Sequence, residues 1–284
     1  MFVKQEQSPA DRLLLRFSKS WKTHEVVLIG FFALTFLAGW IIWIPQAFTG
    51  RPAQALTLLA GFAPSAAGLL FIYLDEGKQG LHRVAIHLAG IWGHWKWYLL
   101  VVFGPAVLLL IGLCLHIVLG GQPPHYSGSA HLLVMPDQWF LVPAVFLYAL
   151  IFSALAQEIG WRGFALPRLM QEFGNIRATL LLGTASTVWQ VPLFFIAGNF
   201  HSNLPAVWFI LQAFISSFLY TWIYNRTNGS LLPAVLFNAA IYTALGLLPV
   251  LPADFGGSML PLWIALILEW VIAGLIYIKN PRLN

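Results

Sequence analysis

Apolar residues dominate this chain in long runs, and short polar clusters separate them. The runs fall at about 25–45, 54–74, 97–119, 139–165, 176–197, 204–224, 231–248 and 260–278. Each is close to the roughly 20 residues that a helix needs to cross about 30 Å of hydrocarbon. The pattern predicts an all-α, polytopic membrane helical bundle with about eight transmembrane helices. Residues 1–24 are set apart as a cytosolic or interfacial N-terminal segment, and residues 25–284 as a single transmembrane domain. The first run is too long for a signal-peptide core and has no small-residue cleavage site, so it is predicted to be retained. The fourth is longer than a bilayer requires, which predicts tilt or an extension into the interface.

Two stretches mix leucines and aromatic residues with bases and are predicted to lie along the membrane surface. They are residues 8–22, SPADRLLLRFSKSWK, and 81–96, LHRVAIHLAGIWGHWK. The second holds His82, His87 and His94, but the step from His87 to His94 is two helical turns, which does not suit a metal site.

Composition agrees with this pattern. The chain is 59% hydrophobic and 9% charged, against about 25% charged in soluble domains, and its mean hydropathy is +0.78. If the N-terminus is cytosolic, fourteen of the fifteen Lys and Arg residues fall on the cytosolic side and Arg51 alone falls outside. The positive-inside rule therefore places both termini in the cytosol. The net charge of +5 follows from this bias and from attraction to anionic lipid, not from nucleic-acid binding. The single cysteine, Cys114, excludes a disulfide framework.

Polar residues inside apolar runs are costly and point to function. Glu158 and Arg162 are four apart and share a helix face. Gln190 follows Trp189 in VWQVP, and Asn238 and Tyr242 are four apart in span seven. A lone amide in a membrane helix usually bonds a neighbouring helix. Three such groups on three proline-marked helices predict one shared cavity. His116 is the only deep histidine in the spans, and a buried, hydrogen-bonded role is expected for it.

The segments EIGWRGFALPRL, VWQVPLFF and GSLLPAVLFNAAIYTAL, with the approach WKWYLLVVFGP, resemble the CPBP family over about residues 80–280. These are the CAAX-protease and bacteriocin-processing (ABI) intramembrane metalloproteases, whose pattern is Glu-Glu-x-x-x-Arg, Phe-x-x-x-His and His-x-x-x-Asn. Mapped residue by residue, the pattern falls on Gln157, Glu158 and Arg162, then Ser186 and Gln190, then Asn238 and Tyr242. Only Glu158 and Arg162 match. Trp161, Ser186, Trp189 and Tyr242 are expected to line the cavity.

In active members the resemblance implies a cavity open to the cytosol. There the first Glu and the motif-two His activate water, while the motif-three His and Asn polarise the scissile carbonyl. All four positions are altered here. An amide cannot take a proton from water as a carboxylate or imidazole can, and zinc would lack its usual ligands, so no cofactor is expected. The leading expectation is a family member with hydrolysis weak or absent. It would sit in a bacterial cytoplasmic membrane, with the lipid bilayer and a hydrophobic or lipid-anchored peptide or membrane protein as partners. A working protease with a divergent site is a second reading. A transporter is a third, though the halves show no duplicated pattern of interrupted helices.

Overall fold

The computed structural model describes the backbone of residues 9–90, 95–124 and 136–279, with side chains described within residues 25–90, 95–124 and 138–279. The described chain is helical and contains no strand. In order, α1 is Pro9–Thr49, α2 Gln54–Ala60, α3 Ala63–Ala89 and α4 Trp95–Val118. After a 3₁₀ turn come α5 (Val142–Ala149), α6 (Ala156–Glu158) and α7 (Leu166–Gln190), then α8 (Ala206–Arg226), α9 (Leu232–Leu247) and α10 (Leu260–Lys279). Of the two stretches expected on the membrane surface, the side chains of 8–22 and the residues 91–94, with His94, lie outside the described residues.

Seven helical runs among the described residues are long and apolar enough to cross a membrane. The longest, Gln138–Phe195, has 58 residues and at 1.5 Å per residue would extend about 90 Å, three bilayer cores. It breaks at Gly174, whose φ of 76° and ψ of 172° suit glycine and interrupt the helical hydrogen bonding. One run thus makes two crossings, and this accounts for the difference between seven and the eight expected.

A second irregularity shapes the same run. On either side of α6 the helix widens into π-helical turns, Leu150–Leu155 and Ile159–Ala165, a device often found at functional positions. Gly160 lets this helix touch α3. A Cβ at Gly160 would collide with the Pro64 carbonyl, and one at Gly68 would lie 2.8 Å from the Gly160 Cα.

Two large apolar clusters form the interior. One joins α1, α3, the second π-turn and α7 through Phe31, Trp43, Ile72, Trp161, Phe164 and Trp189. The other joins α4, α8, α9 and α10 through Val101, Trp208, Leu219, Phe237 and Leu262. Large side chains remain exposed around the outside, Val26, Leu37, Ile41 and Phe48 along α1 among them, as lipid contact requires.

Candidate active site

The site lies where the two clusters meet. Glu158 is 1% exposed and Arg162 4%, and the Arg162 Nη1 stands 2.9 Å from Glu158 Oε2 and 3.1 Å from Oε1. An unpaired charge would be costly at this depth, and each residue supplies the other's partner. The guanidinium also rests over the Tyr220 ring, 3.8 Å from its centroid, which adds cation–π attraction. From α9, Asn238 Nδ2 donates to Glu158 Oε1 at 2.7 Å. Ser153 Oγ in turn donates to Asn238 Oδ1 at 2.8 Å. Both ends of the Asn238 amide are therefore used.

Motif two is held from α1. Trp189 Nε1 donates to the Thr35 carbonyl at 3.2 Å, and Trp40 Nε1 donates to the Trp189 carbonyl at 2.9 Å. The Trp189 ring packs against Trp43 and Trp161, with centroids 4.6 and 5.8 Å away. This anchorage sets the position of Gln190, whose Nε2 donates to the Ser186 carbonyl at 3.1 Å. Its Oε1 faces Tyr242 Oη at 3.4 Å and His201 Nε2 at 3.1 Å.

Two adjoining cavities meet at these groups. The smaller, about 90 Å³, is bounded by Glu158, Trp161, Arg162, Ser186 and Asn238. The larger, about 550 Å³, takes in Ser153 and Trp189. Gln157, Gln190, Phe200, His201 and Tyr242 border both. All nine residues singled out from the sequence thus reach one place. Gln157 is half-buried, and its amide makes no hydrogen bond to the described residues.

The mouth of the larger cavity differs from expectation. Its rim holds exposed Pro52, Gln54 and Asn203, in the connection after α1, at the start of α2 and before α8. Those connections lie at the opposite end of the bundle from Arg168, which pairs with Asp75 and Glu76, and from the C-terminal end of α10 at Lys279. Among the described residues, the rim of this cavity lies away from the face that bears Arg168 and Lys279, not on it as expected. The reason is alternation: the span carrying Gln190 starts at the basic end, after Gly174, so its far end points the other way. Tyr148 and Phe152, 42% and 37% exposed, also border this cavity and flank it on the side of the bundle.

Sequence reasoning missed His201. It sits in a 3₁₀ turn, Phe200–Asn203, outside all three motifs, yet it is 6% exposed and borders both cavities. Burial among Phe194, Phe200 and Phe209 holds its pKa down to about 4, because the charged ring would lose its hydration. The only signal in the sequence was the pair Asn199 and His201, two apart in a polar connection. His116, by contrast, is buried and borders neither cavity; it lies near the Gln122 carbonyl at 3.2 Å and against the Phe255 ring.

The residues do not fit a catalytic metal. Glu158 is occupied by Arg162 and Asn238, and among the described residues no three His, Cys, Asp or Glu side chains converge to hold an ion.

Comparison with known proteins supports the motif reading. Residues 138–244 match the family described as type II CAAX prenyl endopeptidase Rce1-like. The chain is 29% identical over 143 residues to CAAX prenyl protease 2 of Methanococcus maripaludis. That match covers 48% of this chain and 51% of the relative, so the chain spans about half the length of the curated relative.

Proposed function

We propose that this chain, an integral membrane protein of the CPBP family of CAAX-type endopeptidases, holds a hydrophobic or lipid-anchored peptide segment beside Gln157. Hydrolysis by the family's own catalytic set is weak or absent in this reading, which makes the chain a pseudoprotease as far as that set is concerned. One observation carries it. The substituted groups Gln190 and Asn238 are each held through both N–H and C=O by neighbours, and neither amide supplies a base for water. Of the three motif amides, Gln157 alone makes no hydrogen bond to the described residues, and it offers an N–H and a C=O to a peptide backbone. The half-exposed rings of Tyr148 and Phe152 give an apolar chain a lateral route from lipid.

With both termini cytosolic in a bacterial cytoplasmic membrane, as the charge bias indicates, the mouth faces the outer side. Segments that emerge there, or that slide in from the bilayer, are then the candidate occupants.

Site-specific photocrosslinking tests the reading. A crosslinker at position 145, on the wall of the larger cavity, in the full chain reconstituted in liposomes, should capture membrane-anchored peptides, and unlabelled peptide should compete. The control position is Leu37, on the lipid-facing side of α1. Equal capture at both positions would overturn the proposal.

A further inference from the structure

Two backbone groups fix how His201 is held. The backbone N–H of His201 donates to Asn199 Oδ1 at 3.0 Å, so it is the oxygen of that amide that faces the ring. His201 Nδ1 lies 2.9 Å from the same oxygen. The Ser186 carbonyl can only accept, so Gln190 must direct its NH₂ there and its Oε1 toward His201 Nε2, 3.1 Å away. Both ring nitrogens therefore face oxygen acceptors. A neutral imidazole has one N–H; placed on Nδ1, it donates to Asn199 Oδ1 across the shorter of the two contacts. Nε2 then keeps its lone pair beside Gln190 Oε1, and both residues border the two cavities. Two acceptors converging on one spot suit a donor with two hydrogens, and water is such a donor.

We propose that His201, oriented by Asn199, is a general base for slow peptide hydrolysis in this cavity. The proposal rests on the peptide-binding reading above and adds a reaction to it. Nε2 takes a proton from water as the water oxygen bonds to the scissile carbonyl carbon. The Gln157 NH₂ donates to the carbonyl oxygen as it becomes an oxyanion. The C–N bond then breaks, and Nε2–H returns the proton to the leaving nitrogen, giving a carboxylic acid and an amine. A base held in one tautomer by a third group is the arrangement that such chemistry needs.

The environment sets the speed. Burial keeps the ring in its proton-accepting form at neutral pH, but a base this weak lies well below the optimum for proton transfer near pH 7. Among the described residues no charged group contacts the ring. From α9, the Tyr242 hydroxyl shares its Gln190 partner. Glu158, on the neighbouring wall, is engaged by Arg162. Phe194, and Phe209 from α8, supply only aromatic faces.

The test uses the full chain in phosphatidylethanolamine–phosphatidylglycerol liposomes and a library of membrane-anchored peptides with a fluorophore and quencher across each bond. The expected result is slow turnover that His201→Gln lowers by about 10²–10⁴-fold while the peptides still crosslink at position 145. Asn199→Asp should move the acid limb of the kcat/KM profile to higher pH, because a carboxylate beside the ring stabilises its protonated form. A purely structural role for either residue would not shift that limb. Turnover unchanged in His201→Gln overturns the proposal, and so does an unmoved limb in Asn199→Asp. Peptide capture by the parent with no turnover between about pH 5 and 9 overturns it too, yet leaves the binding reading intact. Loss of capture as well as turnover in the parent overturns both.

Discussion

Asn238 on α9 donates a 2.7 Å hydrogen bond to Glu158 on α6, across 80 residues of sequence. The amide of the third segment thus holds the carboxylate of the first. Its other end is taken by Ser153, so Ser153, Asn238 and Glu158 form one polar chain between helices. Replacing Asn238 by Leu should leave Glu158 and Ser153 short of a partner, at about 1–3 kcal/mol for each orphaned group. Asn238→His can still donate to one and accept from the other, and should melt close to the parent in detergent.

The Glu158–Arg162 pair is buried on both sides. Arg162→Ala should leave an uncompensated carboxylate and cost about 3–5 kcal/mol. Denaturant unfolding in mixed micelles measures this. A variant as stable as the parent would mean that water reaches the pair.

Close helix approach at Gly160 gives a third outcome. An alanine there would meet the Pro64 carbonyl, which is backbone and cannot rotate away. Gly160→Ala should therefore force α3 off the π-turn and cost about 1–3 kcal/mol. Gly104, around which a Cβ meets nothing within 4 Å, is the control and should tolerate alanine in the same thermal assay.

His201 predicts a pH dependence of stability. Its folded pKa is about 4, below the roughly 6.5 of a free imidazole. Between these values the unfolded chain binds the extra proton, so stability rises with pH there. The contribution is fully present above about pH 6.5 and is lost as pH falls toward 4, a span of about 3 kcal/mol. His201→Gln should flatten this part of the curve of unfolding free energy against pH.

Introducing the family's motif residues tests the pseudoprotease reading. Gln157→Glu, Gln190→His, Asn238→His and Tyr242→Asn together should raise peptide cleavage above the parent by about 10²–10⁴-fold, the contribution of a positioned base. Single reversions should not, because groups that act as a unit are non-additive. A fourfold variant that folds and binds peptide but cleaves no faster than the parent would show that the cavity no longer seats a scissile bond.

The sequence by itself determined the helical class, the approximate spans and the convergence of the motif residues. Span length follows from bilayer thickness, and polar groups in lipid must find one another. The pairing of Glu158 with Arg162 was legible because a four-residue step is local helix geometry. Only the tertiary structure decided the rest. The spans are apolar nearly all round, so their pattern encodes no rotation or neighbour. The Ser153–Asn238–Glu158 chain, the mouth at Pro52 and Asn203, and the arrival of His201 beside Gln190 all depend on how helices pack across long separations. His201 lies in an irregular turn with no period to read. It reaches the cavity because Gly174 reverses the chain and the span after it carries the 196–205 connection to the far end of the bundle.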